Sequence, residues 1–285
     1  MNTKRRLMML VELNPTLDFK KEIFEILEYS GSKHFLEKIL TQISCTKDLV
    51  KFIHRYSVFN GNFAGGVINL GGAFHIRQDI FRDESEIIHD CADRSSKIST
   101  YIFFAAEDEY FDRVRNSRVT HRELGQILLK NTLRFFDINP QLFEQQFSIS
   151  PAILDNLEEI KQGYCLNREN SEEEILHGLG FHIGAELLAD QEFNILHQYL
   201  CKEYPQLVKF LKGERTEYGN SAYTWIELHT SVESEHFEYA ILAAEEAISY
   251  YCGLYTKNEV RNMIIEGFNH FSRFQISFFN NILKG

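Results

Sequence analysis

Two histidines and a glutamate stand at helical spacing within the segment WIELHTSVESEHFEYA, residues 225–240. His229, Glu233 and His236 form the pattern H-x3-E-x2-H, whose offsets put the three side chains on one stripe of a helix. Converging imidazole and carboxylate groups are ligands for a first-row metal such as iron or manganese. A zinc-protease helix differs, because it carries its glutamate directly after the first histidine, where this chain has Thr230. Ordinary polar residues on an exposed face are the alternative. Apolar residues flank the same stripe, so a buried metal site is favoured.

A second segment, GFHIGAELLADQEF at residues 180–193, carries a carboxylate in the middle of an apolar helix. A buried Glu186 needs a cation, which is either a metal ion or the side chain of a buried arginine. His182 and Asp190 lie one helical turn before and after it, on the same face. His182 considered alone is more typical of a hydrogen-bonded core histidine, so whether His182 and Asp190 join the site stays open.

A third segment, residues 101–129, contains an apolar helix that ends in Glu107-Asp108-Glu109, followed by a polar turn and by His121 at the start of the next helix. Glu109 is favoured over Glu107 because it lies on the buried side of its helix. His121 is either a ligand or part of an exposed helix start. The three segments together predict a metal site of three carboxylates and three histidines: Glu109, His121, Glu186, His229, Glu233 and His236. Such a set inside a helical bundle is what a di-iron centre requires.

Helices are the elements that must position these side chains. Apolar residues recur at i, i+3, i+4 and i+7, and strand-like alternation is almost absent. The pattern predicts an all-α protein with helices at 19–27, 35–43, 49–59, 98–111, 124–136, 175–200, 223–254 and 260–283. Caps are expected at Thr46, Ser171 and Thr256, and breaks at 112–118, 137–140, 163–170 and 213–220. The pairs Gly65-Gly66 and Gly71-Gly72 indicate close contact between helices. No linker divides the 285 residues, so one domain is expected, with residues 1–30 as an accessory N-terminal part.

The amino-acid composition limits the classes of partner that the protein can bind. Forty-one acidic against thirty basic residues give a net charge of −11, which argues against a nucleic-acid or anionic-membrane partner. No apolar run approaches the roughly 20 residues of a membrane span. Five scattered cysteines without a CxxC motif, and a first segment without a signal-peptide cleavage site, favour the reducing cytoplasm.

The three motifs, in this order, resemble those of the haem-oxygenase-like di-iron oxidases and oxygenases, which are related to the thiaminase and pyrroloquinoline-quinone-synthase folds. The resemblance extends over roughly residues 30–285 and implies a bundle of about seven core helices with an extra N-terminal helix. It implies two iron ions at the six ligands, with O2 as co-substrate, a peroxo-di-iron(III) intermediate and a small organic substrate. Residues 213–220 lengthen the connection between ligand helices and are candidates for shaping a substrate entrance.

The substrate and some alternatives stay open. Arg113, Arg115, Arg118, Arg122 and Arg273 lie near the motifs and are candidates for binding a substrate carboxylate. Tyrosines at 250, 251 and 255 would line either a cavity or a homodimer contact. A metal-independent thiaminase-like or quinone-synthase-like enzyme, and a non-catalytic helical interaction protein, are the rival functions. A ferritin-type iron carrier is disfavoured, since its E-x-x-H pair occurs only once, at Glu233 and His236.

Overall fold

The computed structural model describes residues 19–30, 35–105, 107–110, 119–166, 170–230 and 233–284. The side chains of residues 28–30, Asp108, Asp190, Glu233 and Ser234 lie outside this description. In chain order the helices are α1 (Phe19–Ser30), α2 (Phe35–Leu40), α3 (Thr46–Asn60), α4 (Phe63–His75), α5 (Ser95–Phe104), α6 (His121–Phe135), α7 (Phe143–Gln146), α8 (Pro151–Gly163), α9 (Glu172–Glu203), α10 (Pro205–Gly213), α11 (Thr224–His229), α12 (Glu233–Tyr250) and α13 (Lys257–Ile282). Within these ranges, extended pairing is limited to isolated bridges such as Phe81 with Tyr251. The predicted all-α class is confirmed, whereas the haem-oxygenase-like arrangement stays a prediction.

The two long helices α9 and α13 pack along each other and form the centre of the fold. Both begin with a capping box, in which the cap hydroxyl and the third-residue glutamate bond each other's backbone N–H groups. The caps predicted at Ser171 and Thr256 are confirmed. The cap predicted at Thr46 is wrong by one residue, because α3 already begins at Thr46 and Cys45 precedes it without a side-chain bond.

Glycines bring α9 and α13 into backbone contact. A Cβ atom built on Gly180 would lie 1.7 Å from the carbonyl oxygen of Ile264, and one built on Gly267 would lie 1.9 Å from that of His177. Neither position therefore tolerates a side chain without movement of a helix. The four glycines predicted to mark helix contacts behave differently. Gly66 packs tightly on the ring of Tyr164 and Gly71 makes ordinary contact with Ser99 and Ile102 of α5, while Gly65 and Gly72 face open space.

One apolar core cluster includes residues from α1 at one end of the chain to α13 at the other. Many of its members are aromatic, and Phe59 of α3 stacks on Phe278 of α13 with ring centroids 3.8 Å apart. None of the described helices has an apolar stretch long enough to span a bilayer.

Several predicted boundaries are wrong. The helix predicted over 223–254 is two helices, α11 and α12, with a turn at Thr230, whose hydroxyl donates to the carbonyl of Glu227 at 2.9 Å. A local side-chain bond of this kind competes with continuation of the helix. The helix predicted over 98–111 ends at Phe104, and Glu107–Glu109 forms a separate 3-10 turn. The helices α8 and α10 were not predicted, although each begins with a proline in its first turn. The break expected at 112–118 lies outside the described residues.

Candidate functional site

A small, partly open cavity of about 40 Å³ lies where helix ends meet the middle of α9. Its walls hold five of the six predicted ligands, Glu109, His121, Glu186, His229 and His236. The sixth, Glu233, begins α12, and its side chain lies outside the described part. The remaining lining residues are mostly apolar: Phe59, Asn60, Phe63, Ala105, Ala185, Ala189, Glu192, Phe193 and Phe271. Glu107, the less favoured alternative to Glu109, is not among the lining residues.

Glu109, His121 and His229 lie together on one side of the cavity. The Nδ1 atom of His121 is 3.2 Å from Oε1 of Glu109, and its ring centroid is 4.4 Å from that of His229. His121 is the first residue of α6, whose start is fixed by the capping box between Thr120 and Glu123. Both histidines are buried. The 3-10 turn that ends at Glu109 therefore faces a rigid helix start.

A hydrogen bond fixes the ring of His229. Its Nδ1 lies 2.7 Å from the carbonyl oxygen of Trp225, one turn earlier in α11. A carbonyl only accepts, so Nδ1 carries the proton and Nε2 holds the lone pair in the neutral ring. Metal-binding histidines use this arrangement, in which one ring nitrogen is bonded to a backbone carbonyl. Phe193 of α9 stacks on the same ring at a centroid distance of 3.8 Å.

Glu186 and two histidines form the second group. Oε1 of Glu186 is 3.3 Å from Nδ1 of His182, and Oε2 is 3.6 Å from Nδ1 of His236. Burial, with the nearby His236 as a smaller cause, lowers the pKa of His182 to about 3. His182 is therefore neutral at physiological pH, and it shares a hydrogen bond of 3.2 Å with the hydroxyl of Tyr164. Burial is also the main cause that raises the pKa of Tyr164, with Glu186 and Glu109 adding to it.

The donor chemistry fits iron or manganese, since imidazole and carboxylate groups meet in one buried space. Within the described residues, however, no three His, Cys, Asp or Glu side chains are arranged so that they could hold one ion. The carboxylates instead contact imidazoles at 3.2–3.6 Å. These contacts pair the buried charged and polar groups with one another. Metal binding would require the carboxylates to turn from the imidazoles to the ion.

Glu192 is a cavity residue that the sequence reasoning missed. Its side chain is only 4% exposed, and its carboxylate accepts from the Tyr56 hydroxyl at 2.8 Å and from the Gln275 amide. A signal was present in the sequence. At 100° per residue, Ala185, Glu186, Ala189, Glu192 and Phe193 fall within an arc of about 120°. Any residue on the arc that contains Glu186 was a candidate for the same cavity.

Other predicted features lie elsewhere. The tyrosines at the end of α12 and after it contact surrounding polar groups rather than the cavity. Tyr251 and Tyr255 donate to Glu172 and Glu173 at the start of α9, and Arg94 lies 5.1 Å from the ring of Tyr250. The side chain of Asp190 lies outside the described part of the chain. Arg113, Arg115 and Arg118 lie wholly outside it. No lysine or arginine is among the described lining residues.

Comparison of the chain with protein-family models, with curated proteins and with solved structures returned no match.

Proposed function

We propose that this protein is a non-haem di-iron oxidase or oxygenase that uses O2 to oxidise a small organic substrate. The supporting observation is that Glu109, His121, Glu186, His229 and His236, which belong to three separate segments, line one small cavity. Chance would scatter such residues over the surface, because charged and polar side chains are seldom buried without partners. Together with Glu233 they would hold two iron ions, with manganese as the alternative metal.

The bound metal would supply one-electron redox chemistry and open positions for O2. The protein supplies orientation and exclusion of water. The Trp225 carbonyl holds the His229 ring in the tautomer that leaves Nε2 able to bind. The rings of Phe59, Phe63 and Phe193 line the same cavity and would limit the access of water to the polar groups.

Rival functions have less support. A thiaminase-like mechanism with a cysteine nucleophile would need a thiol in the cavity, and none of the five cysteines lines it. Burial raises the pKa of Cys165 to about 12, so this thiol is a poor nucleophile. A non-catalytic interaction protein would have no need to fix the ring of His229 through an Nδ1 hydrogen bond and to place it beside the carboxylates of the cavity. That reading becomes the leading one if iron does not bind.

The test is iron uptake followed by reaction with O2. Metal-free protein receives Fe(II) anaerobically, the iron per chain is counted, and stopped-flow absorbance is recorded after O2 is admitted. We expect about two irons per chain and a transient visible band in the wild type, and both lost in His229→Ala. His89→Ala is the matched control, because His89 is an exposed histidine that is not among the residues lining the cavity. No uptake by the wild type, or equal uptake by both variants, would refute the proposal.

A further inference from the structure

A thiol, an imidazole and a phenol meet at the last turns of α9, outside the cavity. His197 and Cys201 are four residues apart in this helix, so their side chains lie one turn apart on the same face. Nε2 is the nearer ring nitrogen of His197 to the Sγ atom of Cys201, at 3.7 Å. Nδ1 of the same ring is 3.1 Å from the hydroxyl of Tyr223. None of the three is among the described residues that line the cavity, and the proposed function does not use them.

Tyr223 orients the imidazole. Its side chain is buried, and burial is the main cause that raises the pKa of its hydroxyl, with Cys201 and Glu227 adding to it. The hydroxyl therefore stays protonated, and its oxygen is able to accept a hydrogen bond from Nδ1 of His197. In that tautomer the lone pair of Nε2 is available to the proton of the Cys201 thiol. A nucleophile, its base and a third group that orients the base are the arrangement of an activated nucleophile.

The described charges around this group are paired with one another. Lys212 lies 5.3 Å from the centre of the Tyr223 ring and pairs with Glu227 at 2.8 Å. Lys202, which follows Cys201 in the chain, pairs with Glu203 at 2.8 Å. Among the described residues, the nitrogen base within hydrogen-bonding distance of the thiol is therefore the imidazole of His197.

Accessibility and surroundings distinguish Cys201 from the other cysteines. Cys165 is buried and Cys252 is half-buried, whereas the exposed thiols are those of Cys45, Cys91 and Cys201. The thiol of Cys45 lies 3.3 Å from the carboxylate of Asp48, and a neighbouring negative charge disfavours a thiolate. Cys201 therefore combines exposure with a neighbouring base.

We propose that Cys201 is a reactive thiol that low-molecular-weight disulfides modify, with His197 as its base. The thiol proton passes to Nε2 of His197, and the thiolate attacks one sulfur of the disulfide. A new S–S bond forms at Cys201 while the S–S bond of the disulfide breaks, and the departing thiolate takes the proton from His197. The Cys201 sulfur is oxidised, and the departing half of the disulfide is reduced to a thiol. The modification needs no metal, so this inference is independent of the proposed function.

The wild type contains its own controls, because trypsin separates the five cysteines into the peptides 39–47, 83–94, 162–168, 169–202 and 216–257. The full chain is exposed to glutathione disulfide at pH 7, the remaining thiols are blocked by alkylation, and the mixed disulfide on each peptide is followed over time by mass spectrometry. An ordinary exposed thiol is roughly a few per cent thiolate at this pH. A neighbouring base raises the reactive fraction by up to about tenfold, and the lower nucleophilicity of the paired thiolate offsets part of this gain. We expect Cys201 to react about threefold or more faster than Cys91.

His197→Gln removes the base and keeps a side chain that is able to bond Tyr223, and it should lower the Cys201 rate to that of Cys91. His75→Gln is the matched control, because His75 is an exposed histidine at the end of α4, and it should leave the Cys201 rate unchanged. In the wild type the ratio of the Cys201 rate to the Cys91 rate should be larger at pH 6 than at pH 9, since an ordinary thiol is itself largely thiolate at pH 9.

Three results would overturn the inference. The first is an equal rate for Cys201 and Cys91 in the wild type, and the second is an unchanged Cys201 rate in His197→Gln. The third is a rate ratio that stays constant from pH 6 to pH 9, because a difference in accessibility alone would produce it.

Discussion

The contact between α9 and α13 gives a sharp test of the fold, because an alanine at position 180 has no room. Its Cβ would lie 1.7 Å from the Ile264 carbonyl oxygen, and real Cβ atoms essentially never come closer than 3.0 Å to a neighbour. The difference of 1.3 Å must be taken up by the helices, since a carbonyl inside a helix cannot rotate away. Gly180→Ala therefore separates the two central helices of the protein.

The cost of this separation outweighs the local gain. Overpacking a close contact costs about 1–3 kcal/mol, and more where backbone must move. Alanine in a helix interior recovers at most about 1 kcal/mol relative to glycine. With the overpacking cost at the upper end of its range or above, we expect a net loss of about 2 kcal/mol or more in the free energy of unfolding. Gly72→Ala is the matched control. Gly72 lies inside α4, and nothing stands within 4 Å of its added Cβ, so this variant should be neutral or slightly stabilised.

Urea unfolding followed by circular dichroism and by Trp225 fluorescence measures both variants. The midpoint of Gly180→Ala should fall clearly below that of the wild type, and that of Gly72→Ala should not. Equal midpoints for the two variants would refute the close approach of α9 and α13. Iron uptake by Gly180→Ala should also fall, because the moved helix carries Glu186.

Three further predictions concern single side chains. Tyr164→Phe keeps the ring and removes the hydroxyl that is bonded to His182, which in turn contacts Glu186. We expect about tenfold weaker iron binding, measured by competition with a chelator, because the predicted ligand Glu186 loses this support. Burial lowers the pKa of His54 below its ordinary 6.5, so the folded protein binds a proton at His54 less readily than the unfolded chain does. The free energy of unfolding should therefore fall as the pH drops below 6.5. Urea unfolding at pH 7 and pH 5 should show a smaller fall for His54→Gln than for the wild type. Glu22→Gln removes the charge that pairs with the buried guanidinium of Arg261 and should cost about 1 kcal/mol in urea unfolding, since Glu22 is itself partly exposed.

Each of these has a control and a contradicting result. Tyr239→Phe removes an exposed hydroxyl bonded to Glu235, and similar iron binding in the two Tyr→Phe variants would argue against a role for Tyr164. An unchanged pH dependence in His54→Gln would mean that other groups cause the acid loss. Glu25→Gln breaks only a surface pair with Lys21, and a loss equal to that of Glu22→Gln would show that Arg261 does not need its partner.

The sequence predicted features that are local in the chain. Capping boxes at Ser171 and Thr256 involve residues three positions apart, and amphipathic helices follow from spacing within a few turns. The prediction of one helix over 223–254 was wrong, because periodicity registers which face is apolar and is insensitive to a short interruption. His229 and His236 still line one cavity, although they belong to different helices.

Features that depend on tertiary packing were missed. The small-residue pairs at 65–66 and 71–72 drew attention to α4, whereas the tightest glycine contacts are those of Gly180 and Gly267, which are far apart in sequence. Glu192 was missed for the same reason. Its surroundings are Tyr56 and Gln275, from the two ends of the chain, and no local pattern indicates that these residues meet. Local signals identify which residues can do chemistry, and packing decides which of them are brought together.

The cavity has walls from distant parts of the chain, and this bears on how the protein folds. Phe59 and Phe271 line the same space as Glu109 and His229, so helices near both ends and in the middle must dock before the space exists. Closing such large loops costs entropy that is recovered only when the long-range contacts form. A chain with its helices formed but not yet docked contains no cavity. Occupancy of the cavity by any ligand therefore reports docking of the helices that line it, which a measurement of helix content alone does not.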